Sequence, residues 1–141
     1  MTLARRIAPT LLVSLIVACT PVTPRPDAGS NRIDTVRLNQ STGGPIGLSV
    51  IEVVQDSRCP SGVQCIHAGT VRVRALQTGQ TARILLTLHE PRSVAGGWAR
   101  LLQVCPSPVA GRPIARGDYR FTILTGKTMP AAAKADPGPC P

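Results

Sequence analysis

Aromatic residues are almost missing from this 141-residue chain, which has one Trp, one Tyr and one Phe. Proteins that bind single-stranded nucleic acid stack bases on aromatic platforms, so this scarcity argues against a nucleic-acid partner. Carboxylates are few as well, seven against sixteen Lys and Arg, and none forms an obvious pair for acid–base chemistry. There is no Gly-x-Ser-x-Gly elbow to carry a nucleophilic serine. Gly43-Gly44-Pro45 lacks the Lys and the helix that follow a phosphate-binding loop. No apolar run approaches the ~20 residues that a membrane-spanning helix needs. These absences leave no catalytic set and no cofactor to expect, and the reading is of a non-enzymatic protein.

The chain does have prolines, glycines, arginines and cysteines. Residues 1–18 read as an export signal: Arg5 and Arg6 precede an apolar stretch containing Leu11-Leu12-Val13 and Leu15-Ile16-Val17-Ala18. Ile7-Ala8-Pro9 does not continue the arginine pair into a twin-arginine motif. Ile16-Val17-Ala18-Cys19 resembles a bacterial lipobox, with Ile16 where Leu is usual. The resemblance implies cleavage before Cys19 and lipidation of its thiol, so that the membrane is a partner through Cys19. Thr20, in place of the Asp that retains lipoproteins in the inner membrane, implies an outer-membrane anchor facing the periplasm in a Gram-negative cell. Residues 19–32, with Pro21, Pro24 and Pro26, read as the lipidated cysteine and an extended tether. Residues 33–141 form the single remaining domain.

An exported domain meets an oxidising environment. Five cysteines less Cys19 leaves four, an even number, and two disulfides are expected. Of three possible connectivities, Cys59–Cys65 with Cys105–Cys140 is the most economical, because Pro60 and Gly62 let the first loop turn back on itself. The formal charge of +9 falls to +7 (9 − 2) without Arg5 and Arg6. The arginines are scattered and not bunched, so an anionic envelope polymer or another envelope protein is the partner class to expect, not nucleic acid.

The domain reads as mainly β, a small antiparallel sandwich or barrel. Ile46, Leu48 and Val50 alternate with small residues, and the run through Ile51, Val53 and Val54 suggests a strand buried on both sides. Val71 and Val73 alternate with Arg72 and Arg74, giving one apolar and one solvated face. Thr78-Gly79 marks a hairpin before Ala82-Arg83-Ile84-Leu85-Leu86. Tyr119, Phe121 and Ile123 form a late strand. Trp98 to Val104 fits either a strand or one to two helical turns. With 14 prolines and 13 glycines between the runs, long helices have no room. Residues 130–135 read as loosely structured, with Cys140 available to tie the end down.

The densest chemistry is Asp56-Ser57-Arg58-Cys59-Pro60-Ser61-Gly62-Val63-Gln64-Cys65, followed by His67. As a metal site, Cys59, Cys65, His67 and His89 could supply ligands, or His67 and His89 with Glu90 or Asp56, and copper or zinc would accept them. The cysteine spacing is wide for zinc, and disulfide pairing removes the thiolates, so no metal ligand is assigned. Thiol exchange favours Cys-x-x-Cys at a helix start, which is absent. A closed loop carrying Arg58-Cys59-Pro60 could also act as a rigid protease-inhibitor loop. The structural reading is simpler: Asp56 caps the turn it opens, Arg58 pairs with it or lies across the loop, and Gly69 turns the chain into the next strand. Asp56, Arg58 and His67 are the candidate binding-loop residues.

The stretch from Asp56-Ser57-Arg58-Cys59-Pro60 through Cys65 to Ala68-Gly69 resembles a group of small bacterial lipoproteins and secreted proteins. These carry Asp-Ser-Arg-Cys-Pro, a second cysteine and Trp-Ala-Gly. The likeness runs from about Gly47 to Leu124, with fourteen residues, 56–69, as its sharp part. His67 stands where the group has Trp. The resemblance implies a short β-rich fold with a Tyr-bearing late strand and an envelope location, and it implies no particular activity.

Overall fold

The computed structural model describes residues 31–129 and 137–140; the expected export signal, Cys19, most of the expected tether and residues 130–135 lie outside them. Seven strands, β1 (Arg32–Arg37), β2 (Leu48–Asp56), β3 (Val71–Gln77), β4 (Arg83–Thr87), β5 (Pro91–Val94), β6 (Gly97–Cys105) and β7 (Arg120–Gly126), form two antiparallel sheets. One has the order β1-β7-β6-β5 and the other β2-β3-β4. A single 3₁₀ turn, Arg116–Asp118, precedes β7.

The sheets face each other across one aliphatic core. Leu48, Val50, Val71, Val73, Ala75 and Leu86 come from the three-stranded sheet, and Val36, Ala99, Leu101, Val104, Phe121 and Ile123 from the four-stranded one. Strand β3 shows the cause most simply. Alternate side chains point to opposite faces, so Val71, Val73 and Ala75 are buried while Arg72 is exposed. Arg74, on the outer face, forms an ion pair with Glu52, its cross-strand partner. The β3–β4 hairpin turns at Thr78-Gly79, where the Gln80 amide donates to the Gln77 carbonyl at 2.9 Å. Gly79 has φ +77°, as the third position of a type II turn requires.

One open reading is resolved and one expectation changes. Of the two alternatives for Trp98 to Val104, the strand is the one formed: it belongs to β6, an interior strand of the larger sheet, paired on both sides. Its buried residues are Trp98, Ala99, Leu101, Leu102, Val104 and Cys105, a spacing near three. The cause is a bulge between Leu101 and Gln103 in a strand covered on both faces. Ala99, Leu101 and Val104 face the sandwich core, and Trp98 and Leu102 join Leu124 in a second cluster on the outer side. The expectation that changes is β2. Its later half is not buried on both sides, since Val54 is 42 % exposed. Strand β2 is an edge strand broken by two register shifts, between Val50 and Glu52 and between Val53 and Gln55. Bulges of this kind are common at edges, where they discourage further pairing.

Both cysteine pairs are formed, Cys59–Cys65 with Cα atoms 5.9 Å apart and Cys105–Cys140 at 5.6 Å. The second pins the end of the described chain against β6. Beside it, the Gln103 side chain donates to the Gly138 carbonyl at 2.6 Å; at the opposite end of β6, Trp98 Nε1 donates to the Thr128 carbonyl at 2.8 Å. Cys140 thus ties the chain end to the strand that carries the outer apolar cluster.

Candidate functional site

The two ends of the sandwich are fastened differently. At the end where β1 begins, the buried Gln77 amide bridges the sheets: its Nε2 donates to the Ala95 carbonyl at 2.6 Å, and its Oε1 accepts from the Ala95 amide at 3.0 Å. At the opposite end, where β2 stops and β3 starts, an ionic clamp takes this role. Arg58 donates from Nε to Asp56 Oδ1 at 2.9 Å and from Nη2 to Oδ2 at 2.7 Å. The fork-to-fork geometry fixes the guanidinium plane. Its Nη1 then donates to the Val104 carbonyl of β6, and Tyr119 donates its hydroxyl to Asp56 Oδ2 at 3.1 Å. The Arg58 backbone amide also donates to Asp56 Oδ1 at 3.3 Å.

Each side chain of the pair is only 13 % exposed. Burial by itself would push the Asp56 carboxyl up; the Arg58 hydrogen bonds and charge, with the Tyr119 hydroxyl, outweigh it and hold Asp56 below the usual carboxylate range. Burial and the neighbouring Asp56 charge push the Tyr119 phenol up. The clamp is therefore a carboxylate, a guanidinium and a neutral phenol over the ordinary pH range.

From this clamp the chain runs into the braced loop. Ser57 is locked to the far side of the loop: its amide donates to the Thr70 carbonyl at 2.9 Å, and its Oγ accepts from the Thr70 amide at 3.1 Å. The two strands of chain cross so closely that a Cβ on Gly69 would lie 1.5 Å from the Ser57 carbonyl oxygen. Gly69 is needed for that approach. Beyond it, Ser61 forms a bridge with Val109; its amide donates to the Pro108 carbonyl at 2.9 Å, and its carbonyl accepts from the Ala110 amide at 3.4 Å. The loop is thus held by a disulfide, by Ser57–Thr70 and by Ser61 on the 108–110 segment. Its side chains still face outward: every residue from Ser61 to Ala68 is exposed, Ile66 at 93 % and Val63 at 49 %.

The three candidate loop residues therefore separate. Asp56 and Arg58 are turned inward and bound to each other, so Arg58 is not presented as an inhibitor-type loop would present its specificity residue. His67 alone is exposed. His89 lies in another turn, with φ +66°, its amide donating to the Leu101 carbonyl at 2.8 Å. Its carbonyl accepts from Arg100 Nε at 2.8 Å. Among the described residues, no three His, Cys, Asp or Glu side chains come together as a metal would need, so His67, His89, Glu90 and Asp56 do not form a shared site. Two shallow grooves flank the clamp. One of about 380 Å³ runs along the open half of β2 to Arg116 and Tyr119, and one of about 500 Å³ lies between Arg58, His89 and Cys140. Sequence reasoning missed Tyr119, 63 residues from Asp56, as a member of the clamp. Its traces were an isolated Tyr directly after a turn signal and the Tyr-bearing late strand of the resemblance.

The chain matches no protein-family model, no curated protein and no solved structure. Among the described residues no helix is long and apolar enough to cross a membrane.

Proposed function

We propose that this is a lipid-anchored envelope protein, held through Cys19, that presents the Cys59–Cys65 loop to another envelope macromolecule without catalysing a reaction. The carrying observation is the contrast within the loop: its backbone is fastened at three places while Ser61 to Ala68 stay exposed. A loop ordered in advance loses little conformational freedom on binding, the condition for a compact recognition element. Topology supports the direction of presentation. Strand β1 begins at the Gln77–Ala95 end, and its six residues span about 20 Å to the clamp end. A tether entering at Arg32 would leave the loop pointing away from the anchoring surface.

Two measurements test this reading. Fractionation of cells making the Cys19→Ser variant should find the protein released from membranes; continued membrane association would refute the anchor. A photoreactive p-benzoylphenylalanine in place of Gln64 should give a discrete crosslinked adduct in intact cells, and the same group in place of Arg83 should not. Equal adducts from both positions, or none from position 64, would refute the presented loop.

A further inference from the structure

Three exposed apolar residues and two exposed arginines lie on the loop system at one end of the molecule. Of the six large hydrophobic residues exposed among the described residues, three belong to the loop system: Val63 at 49 %, Ile66 at 93 % and Val109 at 44 %. Val63 lies inside the disulfide ring, Ile66 follows Cys65, and Val109 is bridged to Ser61. The two segments that carry these residues, 57–70 and 106–117, contain Arg58, His67, Arg112 and Arg116 and no carboxylate. Arg58 is consumed by Asp56, whereas Arg112 and Arg116 are exposed. Arg112 is fixed beside the apolar tip, its amide donating to the Val109 carbonyl at 3.1 Å. Of the carboxylates around these segments, Asp56 is clamped by Arg58 and Glu52, which shares a groove with Arg116, pairs with Arg74, while Asp118 and Glu90 are exposed.

We infer that the loop end docks into a protein partner that offers an aliphatic pocket bordered by carboxylates. Ile66 and Val63 enter the pocket, and Arg112 and Arg116 pair with its rim. The inference rests on the presented-loop reading and adds the chemistry of the partner. A buried aliphatic anchor with charges around it is the usual division of labour at an interface, the anchor giving affinity and the charges giving approach and selectivity. Two other occupants fit less well. A bilayer surface is normally gripped with Trp or Tyr at headgroup level, and the only Trp and Tyr are buried in the sandwich. A second copy docked loop to loop would set Arg112 and Arg116 against their own duplicates, a like-charge arrangement that opposes association.

The test uses the full-length anchored chain in cells, with p-benzoylphenylalanine at position 64 as the probe. The adduct should be a protein whose crosslinked peptide carries Asp or Glu beside aliphatic side chains. Its yield should fall about tenfold with Arg112→Glu plus Arg116→Glu, and partly with Arg112→Gln, in variants whose melting temperature is unchanged. A protein adduct that survives the double charge reversal overturns the acidic partner while leaving the presented loop intact. An adduct to lipid, or to a second copy of this chain, overturns it also. Absence of any adduct in the parent removes the loop reading itself, and the inference with it.

Discussion

The two disulfides close loops of opposite kinds. Cys105–Cys140 spans 35 positions and fastens the chain end to an interior strand, where Pro137 to Cys140 line a groove with Leu102 and Val104. Cys59–Cys65 spans six positions and encloses residues that are nearly all exposed. The first fastens a chain end to the sandwich; the second shapes an exposed surface. In a domain so poor in aromatics the first belongs to the stability of the fold. The second gives its own loop a fixed form, and the Asp56–Arg58–Tyr119 clamp fastens that form to both sheets.

This contrast orders the expected effects. Replacing Cys105 and Cys140 together by Ser should cost about 4 kcal/mol, from the lost restriction of a long loop in the unfolded chain. A denaturant melt would show it as a lowered midpoint with unchanged native Trp98 emission. Asp56→Asn comes next. It leaves the Arg58 charge poorly compensated in a nearly buried place and should cost about 3 kcal/mol. The sign of its pH signature follows from the depressed Asp56 carboxyl. Its stabilisation is complete above the unfolded value of about 3.9 and is lost as the pH falls through the lower folded value. Asp56→Asn should therefore flatten the acid limb of a melting-temperature profile, and an unchanged limb would remove the clamp from the account. At the alkaline end the raised Tyr119 phenol has the reverse sign. Its contribution is lost as the pH rises through its folded value, and Tyr119→Phe should remove that loss.

Replacing Cys59 and Cys65 together by Ser should cost only about 2 kcal/mol, because the loop is short. Its larger consequence should be local: faster hydrogen exchange of the Ser61 to Ile66 amides, with the β6 and β7 amides unchanged. If this pair proved as important for global stability as Cys105–Cys140, the division between a fastening and a shaping disulfide would fail. His89→Gly is smaller still and should stabilise by about 0.5 kcal/mol, since the turn holds a non-glycine residue at positive φ.

Legibility in the sequence followed the same physical lines. Strand β3 was plain because one face is solvated, so Val71 and Val73 alternate cleanly with Arg72 and Arg74. The Gly79 turn was plain because its backbone needs glycine. Strand β6 was ambiguous because the bulge at Leu102 and burial on both faces together erase the period of two. The aliphatic run in β2 suggested two buried faces, yet an edge strand can expose Val54 without penalty beyond its own hydration. At the site, the Asp56–Arg58 pair was within reach of local reasoning. The bonds from this pair to Val104 and Tyr119 were not, because they cross 46 and 63 positions of chain and depend on how the sheets close. The resemblance with its Trp-Ala-Gly variant drew notice to His67, which the structure leaves exposed and unclustered.

The central claim is that the loop surface serves recognition and not the fold, and Ile66→Asp tests it most directly. Melting temperature and position-64 crosslinking would be measured on the same variant. The account predicts a stability change within about 0.5 kcal/mol together with loss of the adduct. A strongly destabilised variant, or a stable one that still crosslinks at full yield, would contradict it.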